Sequence, residues 1–352
     1  MVAAVGSSLV LFDDAMSMIC EAPVYANIIS LDTLETVGSQ RHSRVSDNTP
    51  RDMCVVLTED GCVSLVYIEE IDGGRYRIRL CDELKASRCV DQEPGDIPQP
   101  LRKIVMDPYS RAIGIATWVN SFELLILDWA SIGTLARLEN VRPLHHCIGL
   151  RTDIGEAILD IAILTPSDPE SQRILLVAAI VVTEPHQQFC LSLYETWARR
   201  SANEARSAQA LNLLENLPLP LHSTAPLHVI PLPAFPECFL LLTYDEIAFV
   251  SSLQILSGDV FLHRVKLPQT RDGDLDPVSA FCVAGTLSIA DKSIRKDGDY
   301  LRSLEEALGA PPVGSASPRS PTSPDPRPGR SSNDMLVQKV YLTMQSGRLH
   351  RV

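Results

Sequence analysis

The chain has 352 residues, of which 45% are hydrophobic and only 5% aromatic, so it can bury a large and mostly aliphatic core. Its formal net charge of −13, from 44 acidic and 31 basic residues, argues against an electrostatic grip on nucleic acid by the chain as a whole. An acidic surface favours solubility and basic protein partners.

Met1 to Cys20 is apolar but has no basic leading segment and is interrupted by Asp13 and Asp14, so it is not expected to be a signal peptide. Leu9-Val10-Leu11-Phe12 is the first strand-like run. The first clear hairpin is Met53 to Ile68. Met53-Cys54-Val55-Val56-Leu57 and Cys62 to Ile68 flank Thr58-Glu59-Asp60-Gly61, and Asp-Gly between apolar runs predicts a tight turn because glycine accepts positive φ. These runs barely alternate, so both strand faces are expected to be buried.

A second unit runs from Leu101 to Leu127. In it Asp107-Pro108-Tyr109-Ser110 predicts a type I turn, with Pro where its fixed φ fits. Asn120-Ser121 marks the next turn, and Phe122 to Leu127 returns as a strand. A third unit comprises Ile158 to Leu164, Arg173 to Val182 and Phe189 to Tyr194. Its longest apolar run, Ile174 to Val182, is too short to span a bilayer. A fourth holds Leu227 to Leu232, Cys238 to Thr243 and Ile247 to Val250. A fifth holds Val260 to Val265 and Ala280 to Leu287, and a last hairpin, Val337 to Val352, turns at Gln345-Ser346-Gly347.

Two helices are expected between these units, over Ala202–Glu215 within a helical insertion at 199–222, and over Tyr300–Leu308. The segment 311–334 is rich in Pro, Ser and Arg and nearly devoid of large apolar residues, so a disordered loop is expected there. Its Ser-Pro steps make Ser317, Ser320 and Ser323 candidate sites of proline-directed phosphorylation, which would turn the loop strongly negative.

Chemical motifs are sparse. The nine cysteines are odd in number and irregularly spaced, without a Cys-x-x-Cys pair. They read as small buried hydrophobes in a reducing, intracellular compartment. Arg271 to Pro277 fails the EF-hand pattern, with Pro277 at the glycine position and Val283 at the glutamate position. His145 and Cys147 would share one face if His145-His146-Cys147 lay on a strand, but four-ligand zinc would need a second pair and none stands out. The sequence contains no Gly-x-Ser-x-Gly, Walker A or Gly-x-Gly-x-x-Gly motif. Trp118, Trp129 and Trp197 lack the basic interleaving of a single-strand stacking platform. No catalytic, cofactor-binding or metal-binding residue is expected.

The order of the strand units carries a resemblance. Leu101 to Gly114, with Asp107, Pro108, Arg111 and Gly114, resembles a segment in the first propeller of a family of three-propeller proteins. Members include the large subunit of damage-specific DNA-binding protein, the splicing factor 3b propeller subunit and the largest cleavage and polyadenylation factor subunit. Ile158 to Leu164 with Ile174 to Ile180 and Leu191 to Glu195, Pro231-Leu232-Pro233 with Cys238 to Val250, and Tyr341 to Leu349 are similar to later segments of that propeller, in the same order.

The resemblance implies an all-β fold: a seven-bladed type of β-propeller over 1–352, with inserted surface helices and a disordered loop. Family members are much longer, with two further propellers, and start with an additional strand segment, so the propeller here is expected to be incomplete. The implied function is a non-catalytic scaffold in a nuclear multi-protein complex serving DNA repair through a ubiquitin ligase, splicing or 3′-end processing. Its expected partners are proteins, with nucleic acid reached indirectly, and neither a membrane nor a small-molecule substrate is expected. The alternatives are a nucleic-acid-binding subunit of such a complex, recognisable by a basic face, and a hydrolase built on a propeller, recognisable by polar residues converging on one mouth.

Overall fold

The structure is a computed structural model. It describes residues 2–13, 15–24, 26–34, 53–71, 75–85, 103–116, 120–127, 142–168, 171–182, 188–198, 210–220, 224–258, 263–267, 278–288, 336–344 and 349–351. Strands dominate, each paired antiparallel with its sequence neighbour. The chain divides into two compact units, Met1–Thr243 with Val250–Val260, and Tyr244–Phe249 with Phe261–Val352.

In the first unit β1 (Val2–Val5), β2 (Ser8–Phe12) and β3 (Met18–Pro23) form a three-stranded meander. Three four-stranded meanders follow. The second sheet is β4 (Ile28–Leu34), β5 (Met53–Thr58), β6 (Cys62–Ile71) and β7 (Arg75–Lys85). The third is β8 (Lys103–Met106), β9 (Ala112–Ala116), β10 (Ser121–Ile126) and β11 (Ile148–Asp153). The fourth is β12 (Ala157–Leu164), β13 (Arg173–Val182), β14 (Gln188–Trp197) and β15 (Asn212–Pro218). The hairpin β16 (Pro226–Pro231) and β17 (Cys238–Thr243) and a short helix, α1 (Ser252–Ser257), complete this unit. In the second unit β18 (Glu246–Ser251) pairs with β19 (His263–Lys266), and β20 (Val278–Ser288), β21 (Leu336–Met344) and β22 (Leu349–Arg351) form a meander.

The two-residue side-chain period of a strand explains the core of the first unit. On the third sheet Ile104, Ile113, Ile115 and Leu125 pack with Leu34, Met53, Val55, Leu57, Val63 and Leu65 of the second sheet. Their neighbours Val105, Ala112, Phe122, Leu124 and Ile126 pack the other way, against Ile158, Ile161, Ile163, Ile174 and Leu176 of the fourth. Successive sheets thus stack face to face, and a strand with core on both sides shows no polar alternation. The doubly buried run expected in the first hairpin is present, with Val55 to Thr58 of β5 all buried, and the five residues of β9 are buried as well. The first strands of successive sheets are neighbours, β1 beside β4, β4 beside β8, β8 beside β12 and β12 beside β16.

Two of the expected turns close as hydrogen-bonded loops, while Gln345-Ser346-Gly347 lies outside the described residues. Gly61 N–H donates to Thr58 O at 2.9 Å with Gly61 at φ 79°, and Ser110 N–H donates to Asp107 O at 2.7 Å. The expected helix over Ala202–Glu215 is corrected at its C-terminal end, where Asn212 to Pro218 is strand β15, paired with β14 from Cys190↔Pro218 to Glu195↔Asn212. Local leucine spacing favours a helix, but the open edge of β14 offers backbone partners and a buried place for Leu217, and that tertiary gain wins. The rest of that segment, 201–209 in particular, lies outside the described residues, as do the expected helix Tyr300–Leu308 and the loop 311–334. Among the described residues, no helix is long and apolar enough to cross a membrane.

Candidate functional site

Among the described residues the first strand of each sheet has one edge without a strand partner, and unpaired N–H groups there need other acceptors. At two junctions side chains from the preceding first strand supply them. Ser30 Oγ accepts from Ile104 N–H at 3.1 Å and Asp32 Oδ2 from Met106 N–H at 3.2 Å, so two alternate amides of β8 are satisfied from β4. Asp160 of β12 does the same for β16, its Oδ2 accepting from Val229 N–H at 2.8 Å. Between them Lys103 of β8 bridges to β12, donating to Asp160 Oδ1 at 2.6 Å and to Ile161 O at 3.1 Å. Three consecutive junctions are thus cross-linked by polar side chains, forming a seam along β4, β8, β12 and β16.

Asp160 is the hub of this seam. Its side chain is 2% exposed, and its Oδ1 also accepts from Ile161 N–H at 2.9 Å. His228 Nδ1 lies 3.6 Å from Oδ2, an electrostatic contact beyond hydrogen-bonding length. Burial alone pushes the Asp160 carboxyl up, but His228, Lys103 and the Val229 N–H together hold it below its ordinary value. Asp32 has the opposite balance. Burial raises its carboxyl, and two backbone N–H groups with the more remote Lys103 charge only partly offset that. Chemically, the seam is a set of carboxylates whose lone pairs are occupied by backbone amides and one ammonium.

The residues that carried the family resemblance also have defined structural work. Asp107 Oδ2 accepts from Tyr109 N–H, Arg111 N–H and Arg111 Nε, and its Oδ1 accepts from Arg111 Nη2 at 2.7 Å. The buried Arg111 guanidinium then reaches the fourth sheet, donating to Ser171 O and, at 3.2 Å, to Arg173 O. Gly114 makes room for the side chain of its cross-strand partner: a Cβ there would meet Val105 Cγ2 at 2.7 Å, whereas Ile163 Cδ1 of the fourth sheet would lie at an ordinary 3.5 Å.

Other polar groups fasten loops. Asp82 accepts from Leu144 N–H at 2.6 Å and faces His145 Nδ1 at 3.0 Å. His145 belongs to a 3-10 turn, Pro143–His146, with Cys147 just after it, so the strand placement considered for a shared metal face does not hold. The buried Leu144, with its N–H donating to Asp82, fixes that turn against β7. Among the described residues no group of three or more His, Cys, Asp or Glu is arranged to hold a metal ion. Glu237, at φ 57°, accepts from Ser167 Oγ at 2.7 Å and Ser252 Oγ at 2.5 Å, tying the β16–β17 hairpin to β12's exit and to α1. Cys62 donates to Glu83 Oε1 at 2.7 Å, and burial, reinforced by that carboxylate, pushes its thiol up to about 12, which makes it a poor nucleophile.

Ser317, Ser320 and Ser323 lie outside the described residues. Asp32, Lys103, Asp160 and His228 were not singled out in the sequence. The available signal was an acid set inside an apolar run, Ile158-Leu159-Asp160-Ile161, because a carboxylate there must find donors. Comparison with protein-family models gives no match, and comparison with curated proteins gives no significantly similar relative.

Proposed function

We propose that the chain builds a β-propeller of the seven-bladed type, acting as a non-catalytic protein-interaction scaffold of a nuclear multi-protein complex. The observation that carries this reading is the polar seam. Four-stranded meanders that stack in chain order, with their first strands side by side and cross-linked, are the arrangement expected of propeller blades around an axis. The buried carboxylates of the seam hold strands together instead of converging on an open mouth, which favours a rigid platform over a reaction centre. The collinear resemblance of Leu101 to Gly114 and the later strand units to the first propeller of the damage-specific DNA-binding, splicing and cleavage subunits supports the same reading.

On this reading the partners are protein subunits of a repair ligase, a splicing complex or a 3′-end processing complex, and nucleic acid is reached through them. The test is affinity purification of the tagged chain from its own cells, with partners identified by mass spectrometry. Enrichment of cullin-ligase subunits, splicing factors or cleavage factors is expected and selects the branch. Recovery of chaperones alone would overturn the reading.

A further inference from the structure

On an acidic protein, β7 carries three arginines at alternate positions. Arg75, Arg77 and Arg79 are all exposed, and the strand period places them on one face. The other face presents Tyr76, 37% exposed, and Leu80, 58% exposed, on either side of the partly buried Ile78. β7 pairs with β6 along one edge, and among the described residues no strand pairs with its other edge. β3 lies near β7 without pairing with it, and toward the C-terminal end Asp82 is engaged by the Pro143–His146 turn, so among the described residues the stretch without a strand partner is 75–80, about 20 Å at a rise of about 3.3 Å per residue. Among the described residues Glu69 serves both Arg77, at 2.7 Å, and Arg79, at 3.2 Å, and all three side chains remain a third or more exposed. Each guanidinium carries five N–H donors, so this leaves capacity for further acceptors.

We infer that the outer edge of β7 at residues 75–80 is a strand-addition site for an extended partner segment that alternates acidic and apolar residues. Backbone pairing would satisfy the alternate N–H and C=O groups of the open edge. Acidic side chains would lie opposite Arg75, Arg77 and Arg79, and apolar ones would cover Tyr76 and Leu80. Cross-strand opposite-charge and apolar pairs are the units that stabilise antiparallel sheets. A nucleic-acid strand would use the arginines but would leave both the backbone edge and Leu80 uncovered. The site deepens the scaffold reading by naming one partner's chemistry.

The test uses the full chain and a fluorescein-labelled peptide, Glu-Val-Glu-Val-Glu-Val-Glu, followed by anisotropy. Saturable binding is expected. It should weaken by about tenfold or more when Lys replaces Glu in the peptide, because like charges then face each other. It should weaken similarly when alternate peptide amides are N-methylated, which blocks strand pairing. Amide hydrogen exchange should slow at 75–80 on binding, and the combined Arg75→Glu, Arg77→Glu and Arg79→Glu variant should lose binding while keeping its far-ultraviolet circular dichroism. Absence of binding, equal affinity for the Glu and Lys peptides, protection elsewhere, or tighter binding of a thymidine oligonucleotide than of the peptide would each overturn the site. The peptide controls need no variant, so misfolding of the triple variant cannot obscure the result. Peptide binding without co-purified complex subunits would sink the scaffold reading alone, and the reverse would sink the strand-addition site alone.

Discussion

The seam along the first strands and the outer hairpin β6–β7 contain ion pairs of almost the same length and very different weight. Lys103 meets Asp160 at 2.6 Å with the carboxylate 2% exposed, whereas Arg77 meets Glu69 at 2.7 Å with both partners a third or more exposed. Distance therefore does not set the energetic role. Asp160 has no water to fall back on and holds two backbone amides as well as the ammonium, so each donor depends on it. Glu69 and its arginines exchange protein contacts for water with little net change. The inner charges hold the fold together, and the outer ones are available for partners.

The sharpest way to break the comparison is Asp160→Ala. It leaves the Val229 amide without its acceptor and Lys103 without its counter-ion. It should lower the unfolding free energy by about 3 kcal/mol or more, seen as a lower urea midpoint at unchanged slope. Gly114→Ala tests whether tight cross-strand packing within the third sheet matters as much as charge. The new methyl would press on Val105, and the loss should be about 1–3 kcal/mol. Adding Val105→Ala to it should cost less than the sum of the two single changes, because the two sites share one space.

Asp32 and Asp160 then divide the seam by pH. Asp160 is held below the ordinary carboxyl value of 3.8, so its contribution is complete above that pH and is lost as pH falls through its folded value. Asp32 is raised above 3.8, so ionising it in the folded chain becomes a penalty as pH rises through its folded value. Denaturation series across the acid range should therefore show Asp160→Asn becoming more harmful with rising pH and Asp32→Asn becoming less so. Parallel pH trends for the two variants would refute the assignment. The smallest effect belongs to the outer hairpin: Glu69→Ala should leave the melting temperature unchanged within error, measured beside Asp160→Ala in the same buffer.

Sequence patterns went furthest where their causes are local. Asp-Gly at 60–61 and Asp107-Pro108 fixed their turns because φ preferences act within four residues. The unbroken apolar run of β5 foretold a strand with core on both faces, whereas the runs of β9 and β13 foretold strands whose double burial the structure then added. β3, β4, β7 and β11 escaped notice because they mix exposed and half-buried positions, as outer or edge strands do. The short α1 escaped too, although Ser251 and Gln254 form a capping box that is readable as Ser-x-x-Gln.

The acid inside the apolar run at Asp160 was the seam's one readable sign, and its pairings were not legible, since its hydrogen bonds join residues 57 to 74 positions apart. By itself, then, the sequence determined an all-β chain, the places where many of its strands turn, and a core divided between two strand faces, because side-chain period and turn chemistry are properties of neighbouring residues. Only the tertiary structure decided that Asn212 to Pro218 is a strand, that His145 sits in a turn, and that Asp32, Lys103 and Asp160 meet at strand junctions. In each case an open edge or a buried amide supplied by a distant segment outweighs the local preference.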